Sequence, residues 1–408
     1  MAESVLRFED AMAAVLAQAG GVVAPVGVEM VGLLEARGWV LAERVVADRD
    51  QPPFDRSTRD GYAVRARDVA AGREMRVVGS VRAGERWQGE ALREGEAVEI
   101  MTGAPLPDGA DAVVMVEHVA LVGNALQVGR TLRVGENVVA RGAEARSGDA
   151  LLPVGRVMGA AEIAVAASCG AAKVKVFARP RVAIVATGDE LVELEMEPRE
   201  WEIRNSNSYA LAALVEAEGG TAVRLPIARD TVEDLRARIV SGCEEDLLLL
   251  SGGVSMGEFD LVEQVLAEAG AEFFFTGALI QPGKPVVFGR IPIAGAWRYF
   301  FGLPGNPVST QVCFHLFVAP VLRALAGRKE VAPRFVEARL SEEVKGGVPV
   351  TRFLPAEMVS AWDGVSVGVV GWQGSGDVAA NARGNCYAVL PAGVEGFAKG
   401  ETVRVLLR

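Results

Sequence analysis

Three carboxylates, a glycine-rich loop and one lysine are the residues whose types and spacing point most directly to chemistry. The carboxylates are Glu190, Asp230 and Asp260. The loop is Ser251-Gly-Gly-Val-Ser-Met-Gly257, and the lysine is Lys284 within Pro282-Gly-Lys-Pro285. Gly252, Gly253 and Gly257 let the backbone approach a ligand and turn its N–H groups outward, as anion-binding loops do. Carboxylates are hard oxygen donors that suit Mg²⁺ bridging a phosphate, and Lys284 would neutralise phosphate or oxyanion charge. Each carboxylate taken singly also fits a helix N-cap or first-turn acid. Together, beside the glycine loop, they point to Mg²⁺-assisted phosphate chemistry.

The elements that must position these residues read as alternating strands and helices. Leu247–Leu250 is an apolar run suited to a strand buried on both faces. The glycine loop follows it, and residues 261–269 have helical spacing stopped by Gly270. Strand, glycine loop and helix place an anion at a helix N-terminus. This is neither the dinucleotide fingerprint nor a Walker loop, since no Gly-Lys-Ser/Thr follows. Gly253-Val-Ser-Met-Gly257 also matches a nucleophile elbow. The only later histidine is His315, within the apolar Val312-Cys-Phe-His-Leu-Phe-Val318, so a buried, satisfied core histidine is expected rather than a catalytic base.

Around this centre, residues 181–327 read as a parallel α/β sheet. The strand 181–186 ends in Thr187-Gly-Asp-Glu190, and a helix is expected over 208–218. The strand 221–227 ends at Asp230, and Thr231 with Asp234 starts the next helix. The strand 298–301 ends in Gly302-Leu-Pro-Gly-Asn-Pro-Val-Ser309 and opens a long helix. The unusual polar residues fall just after strands, on the edge where such sheets bind ligands.

The flanks read differently. Helices are expected over Ser4–Ala19, capped by Ser4, and over 28–47. Residues 49–145 read as short β segments with glycine turns. Thr102-Gly103 there is either a site loop or a plain hairpin corner. Residues 150–178 return to helix around Gly159–Ala167 and are expected to pack on the N-terminal helices. Strands then dominate from 329 to 408, where Gln373-Gly-Ser-Gly-Asp377 is a polar loop that also fits a linker.

Composition sets the outer limits. A chain of 408 residues, half of them apolar, implies several packed domains. The net charge of −11 argues against nucleic acid as a partner. Positive charge is carried by 36 Arg and only six Lys. Cys169, Cys243, Cys313 and Cys386 fit no zinc spacing and read as reduced thiols, so a cytoplasmic protein is expected. No signal peptide and no run long enough to span a bilayer is evident. His118 and His315 are the only histidines, which makes histidine-based catalysis improbable.

These residues together resemble the molybdopterin molybdenumtransferase family, the MoeA proteins and the E domain of gephyrin. The resemblance spans the chain. It rests on Pro53-Phe-Asp-Arg-Ser-Thr-Arg-Asp-Gly-Tyr-Ala-Val64, Ile100-Met-Thr-Gly-Ala-Pro105, Thr187–Glu190, Ser251–Gly257 with Asp260, Pro282–Pro285 and Gly302–Ser309. It implies insertion of molybdenum from molybdate into adenylylated molybdopterin, with Mg²⁺-dependent release of AMP. It also implies a homodimer whose site lies between the α/β domain of one chain and the C-terminal domain of the other, with the small β domain nearby. The pterin-adenylylating enzyme of the pathway would be a partner. Neither nucleic acid nor a membrane is implied.

By the same resemblance, Asp60, Thr102, Glu190, Asp230, Asp260 and Lys284 are the catalytic residues, with Glu190 and Asp260 holding Mg²⁺. Thr187, Gly188, Ser251, Gly252, Gly253, Ser255, Gly257, Pro304, Asn306, Pro307, Ser309 and Ser375 would bind substrate. The implied fold is multidomain α/β. A discontinuous helical N-terminal domain (1–48 and 146–178) and a small β domain (49–145) precede a MogA-like α/β domain (179–328) and a C-terminal β-barrel-like domain (329–408).

The chain departs from the family's pattern where charge is expected. Gln281 and Val350 stand at positions often held by Lys and Arg, with Arg352 as a substitute for the latter. Asn205 replaces a frequent Asp. A stretch that is often basic is Val138-Val-Ala140, followed by Arg141-Gly-Ala-Glu144. A tungstate-using insertase, or a non-catalytic carrier or scaffold for the pterin nucleotide, are the alternatives.

Overall fold

Leu247–Ser251 is a strand with every residue buried, as its unbroken apolar run requires. The computed structural model describes residues 4–22, 27–70, 73–253, 261–293 and 295–408. The strand lies inside a six-stranded sheet. Its order is Thr221–Arg224, Arg181–Ala186, Leu247–Ser251, Ala296–Leu303, Val287–Ile293, Glu272–Phe275. The first four strands are parallel; Val287–Ile293 runs antiparallel to them, and Glu272–Phe275, antiparallel to that strand, runs in their direction again. The expectation of a wholly parallel sheet is corrected there. Only residues 294 and 295 separate two neighbouring strands, and so short a connection can only reverse the chain.

Helices cover both faces, and strand alternation divides the core between them. Val182, Ile184, Leu247 and Leu249 pack with Leu211, Val215, Val312 and Leu316 on one face. Ala183, Val185, Leu248 and Leu250 pack with Leu235, Ile239, Val262 and Leu266 on the other. The helical stretch Pro307–Leu325 is long and apolar enough to cross a membrane, although Gln311, His315 and Arg323 interrupt its apolar run in the sequence. It is buried inside the protein as a core helix.

The N-terminal helix is Phe8–Gly20, and its N-cap is Arg7 rather than Ser4. Ser4 instead donates its backbone N–H to Thr276 Oγ1. Ala11 and Val15 enter the core of the central sheet, and Phe8 meets the Phe353 ring edge-on at 5.3 Å. This helix therefore packs on the α/β core, not on a second N-terminal helix. The helix expected over 28–47 is absent. Val28–Gly32 is a strand pairing antiparallel with Lys173–Phe177, and Val45–Val46 pairs with Ala150–Leu152. Within 150–178 only Ala160–Ser168 is helical. The two segments do meet, but as a β-rich layer around Leu41, Met158 and Val176 rather than as a helical one.

Residues Gly61–Val64 and Glu96–Ile100 are inner strands of a separate six-stranded sheet. At the other end of the chain, Thr351–Ala361 pairs with Gly364–Val369 and with Cys386–Leu390. Thr402–Leu407 and Phe335–Leu340 complete the circuit, which closes a barrel and leaves no free edge among these strands. One short segment of the α/β region, Ile280–Gln281, adds to this barrel in parallel register with Thr351–Arg352.

Candidate active site at the sheet edge

The loops that leave the four parallel strands meet at one edge, as the crossover topology dictates. Thr187 donates its backbone N–H to the Ser251 carbonyl at 2.9 Å, and Gly252 donates to the Leu303 carbonyl at 3.1 Å. Adjacent loops are thus laced together by the extension of the sheet ladder. Gly252 and Gly253 have φ of +95° and +64°. A Cβ on Gly252 would lie 2.4 Å from the Thr187 carbonyl oxygen, and one on Gly253 would lie 2.7 Å from Val262 Cγ2. Only glycine fits this backbone. Ser255, Gly257 and Asp260 lie outside the described residues.

Thr187 is buried, and its hydroxyl donates to Asp230 Oδ1 at 2.6 Å. The backbone N–H of Asp230 reaches Asp189 Oδ1 at 3.4 Å. Glu190 is exposed. Its carboxylate folds back beside Gly188, where a Cβ would sit 2.6 Å from Glu190 Oε2. The carboxylates of Glu190 and Asp230 are therefore on neighbouring loops of the same edge, as the strand assignments required.

The second loop group comes from Gly302–Ser309. Pro304 and Ser309 are buried while Asn306 is exposed. Pro307 opens the helix Pro307–Cys313, with Asn306 at its N-cap position. Asn306 Nδ2 donates to Ser375 Oγ at 2.8 Å, and Val308 donates its backbone N–H to the Ser375 carbonyl at 3.0 Å. Ser375 thus reaches this loop within one and the same chain. Its own loop is braced by Asp377, which accepts the N–H groups of Gln373 and Ala380. The N–H groups of Ala380 and then Gln373 hold the Asp377 carboxyl below its ordinary value. The polar stretch Gln373–Asp377 is accordingly a fixed loop, not a linker.

Lys284 follows Gly283, whose φ is +114° and whose Cβ would meet Cys313 Sγ at 2.6 Å. The turn therefore rests on the helix that carries Ser309. The Lys284 carbonyl accepts from Ala278 and Val286 at 3.0 Å each. Its half-buried side chain has no hydrogen bond or ion pair among the described residues. Gln281, two residues before Gly283, stands opposite Arg352 in the barrel pairing.

Asp60 and Thr102 form a pair elsewhere. The Thr102 N–H and hydroxyl both donate to Asp60 Oδ1, at 2.7 and 2.9 Å. No hydrogen bond or ion pair joins this pair to the sheet-edge loops among the described residues. Asn205, the replacement for a frequent Asp, is buried and caps the helix Ser206–Ala217 by accepting the Ser208 N–H at 3.2 Å. An N-cap takes Asn as readily as Asp. The helix begins two residues earlier than the periodicity suggested.

Two residues complete the local picture. Asn207 was not singled out by its sequence position, yet its Nδ2 donates to both Ser251 Oγ and the Gly305 carbonyl. In sequence it is one more polar residue at a helix start, and nothing local marks it. His315 is buried in a π-helical turn against Phe314 and Tyr387. Burial, then the Arg408 charge, push its pKa down to about 4. Its Nε2 has no partner among the described residues, so there it is a core histidine but not a satisfied one.

Three family profiles match the chain. They are described as the MoeA N-terminal region, domains I and II, over residues 6–170; a probable molybdopterin binding domain over 183–324; and the MoeA C-terminal region, domain IV, over 337–407. The molybdopterin molybdenumtransferase of Staphylococcus aureus strain COL is 35% identical over 386 residues, covering 92% of this chain and 90% of that protein. The chain belongs to the molybdopterin molybdenumtransferase family. Its homologue in Staphylococcus epidermidis is 34% identical over 383 residues, with the same coverage of 92% and 90%. The crystal structures of the molybdopterin biosynthesis MoeA protein from Pyrococcus horikoshii agree. One is 34% identical with a TM-score of 0.76, covering 99% of both chains. The other is 29% identical with a TM-score of 0.81, covering 99% of this chain and 100% of that one. In family terms the central sheet is the MogA-like molybdopterin-binding unit, and the C-terminal barrel is closed.

Proposed function

We propose that this protein is a molybdopterin molybdenumtransferase that accepts adenylylated molybdopterin and molybdate, splits the phosphoanhydride, releases AMP and delivers molybdenum to the pterin dithiolene. One observation carries the reading most directly. Thr187, Ser251–Gly253 and Gly302–Asn306 converge at the edge of the parallel strands, with Gly252 too tightly packed against Thr187 for any side chain. Such an edge presents backbone and hydroxyl donors to phosphate oxygens. Lys284, without a hydrogen bond or ion pair among the described residues, stabilises negative charge as it develops at the leaving phosphate or the oxyanion. Asn306 and Ser375 present polar atoms beside it.

Magnesium belongs to this proposal. Among the described residues no three His, Cys, Asp or Glu side chains converge to hold a metal ion. These residues do not build a protein-only cage. They suit instead the way Mg²⁺ takes one or two carboxylates and completes its shell with phosphate oxygens and water. Glu190 would hold it, with Asp230 close by and Asp260 the second ligand implied by the sequence. When bound, the ion neutralises phosphate charge.

A homodimer is part of the reading as well, because among the described residues Asp60 and Thr102 do not join the sheet-edge loops within one chain and a second copy would present them. A cytoplasmic setting fits the four unpaired cysteines. The upstream partner is the enzyme that adenylylates the pterin.

The test is AMP release from adenylylated molybdopterin with Mg²⁺, run with molybdate, with tungstate and with neither. Molybdate-dependent AMP release with active cofactor formed supports the proposal. Release with tungstate alone redirects it to a tungsten insertase. Tight binding without AMP under any oxyanion overturns the enzyme reading in favour of a carrier.

A further inference from the structure

Asn207 stands on the first turn of the Ser206–Ala217 helix and joins two loops that leave adjacent strands. Its Nδ2 donates to the Gly305 carbonyl at 2.6 Å and to Ser251 Oγ at 3.0 Å. A carbonyl oxygen can only accept, so the Gly305 contact fixes which end of the amide faces the loops. Ser251 Oγ therefore accepts an N–H, and its own proton must point elsewhere. Ser251 is 2% exposed, yet among the described residues its hydroxyl donates to nothing. The remaining amide atom, Asn207 Oδ1, is buried without a partner among the described residues. A buried donor and a buried acceptor left open side by side cost free energy unless something completes them.

We propose that Asn207 is a positioning residue: it turns the Ser251 hydroxyl into an obligate donor aimed at a phosphate oxygen of the substrate. The same two bonds hold the Gly305 loop against Gly252, where a Cβ on Gly305 would come within 3.6 Å of Gly252 Cα. The inference rests on the functional reading above, in which this edge receives the pyrophosphate of the pterin nucleotide. Asn207 acts through Ser251 and need not touch the substrate.

The experiment is a double-mutant cycle on the full chain. The Kd for adenylylated molybdopterin, the rate of AMP release and the Tm are measured for wild type, N207A, S251A and the double variant. A hydrogen bond to a charged group of this kind corresponds to roughly 10- to 100-fold in affinity. Asn207→Ala and Ser251→Ala should each raise Kd by about tenfold or more, and the double variant should be no worse than the weaker single one. Asn207→Asp should bind more weakly than Asn207→Ala, because a carboxylate has no N–H to give and adds negative charge beside an anion. A merely structural clamp would lower Tm and give effects that multiply in the double variant, which overturns the inference. Ser251→Ala binding like wild type overturns it too, whether or not the Asn207 variants fold. If wild type itself does not bind the pterin nucleotide, the functional reading falls and this falls with it. If wild type binds and releases AMP while the variants match it, only the inference about Asn207 falls.

Discussion

Thr102 commits both its backbone N–H and its hydroxyl to one oxygen of Asp60, leaving Asp60 Oδ2 uncommitted among the described residues. The Thr102 N–H first, then its hydroxyl, hold the Asp60 carboxyl below its ordinary value. Asp60 is exposed, so this concerns its charge state and orientation rather than fold stability. Its anionic form dominates above the folded pKa and is lost as pH falls through it. Thr102→Val removes the hydroxyl donor and should move the Asp60 carboxyl pKa upward in a carbon-detected NMR titration. The acid limb of AMP release should move in the same direction. A titration identical to wild type would show that the hydroxyl bond does not set this pKa. Asp60→Asn should depress AMP release across the whole pH range.

The sheet edge was legible in the sequence because its signals are local. Apolar runs end in Thr187, Ser251 and Gly302, and each strand is followed at once by its loop. What was not legible depends on partners far along the chain. Val28–Gly32 pairs with Lys173–Phe177, some 140 residues away. Without that partner its apolar residues fit a helix as well as a strand. The Phe8–Gly20 helix showed its apolar stripe, but no sequence pattern states that Ala11 and Val15 enter the core under Leu247 and Leu249. Asn207 is unmarked in the sequence for the same reason: its two acceptors belong to residues 44 and 98 positions away.

Gly252→Ala tests the glycine loop directly. The residue has φ of +95°, and the new Cβ would press on the Thr187 carbonyl. Left-handed backbone at a non-glycine residue costs about 1–3 kcal/mol, and here the clash adds to it. We expect a lower Tm and loss of pterin-nucleotide binding together. Binding at wild-type strength would show that the loop does not hold the substrate.

Gln281 and Arg352 are register partners in parallel strands. Ile280 and Phe353 point into the core, so alternation turns Gln281 and Arg352 to the opposite face together. Arg352 Nη1 donates to the Lys345 carbonyl at 3.1 Å, and its Nε is buried without a partner among the described residues. Arg352 is thus a cation beside the turn that carries Lys284. Arg352→Ala should raise the molybdate concentration needed for half-maximal AMP release. Gln281→Lys, a single added surface charge, should lower it by about two- to fivefold, less so at high salt. If neither variant changes the molybdate dependence, this edge of the barrel lies outside the oxyanion subsite.

His315 makes a prediction about stability rather than turnover. The unfolded chain takes up a proton near the ordinary histidine value of about 6.5, whereas the buried imidazole resists protonation until about pH 4. Between those values the unfolded state binds more protons than the folded one, so stability falls as pH falls. The interval corresponds to roughly 3 kcal/mol in all. His315→Leu removes the titrating group and should flatten this part of the pH dependence in urea melts. The substitution should leave AMP release at neutral pH near the wild-type rate, because the ring faces Phe314 and Tyr387 rather than the sheet edge. An unchanged slope between pH 4 and 6.5 would place the acid sensitivity on other groups. The half-buried Glu218 titrates in a different window. Its burial opposes ionisation, but the hydrogen bonds and charge of Arg323, with Arg328, outweigh this and hold its pKa low. Its contribution is lost only below the ordinary carboxylate range, so the two titrations separate along the pH axis.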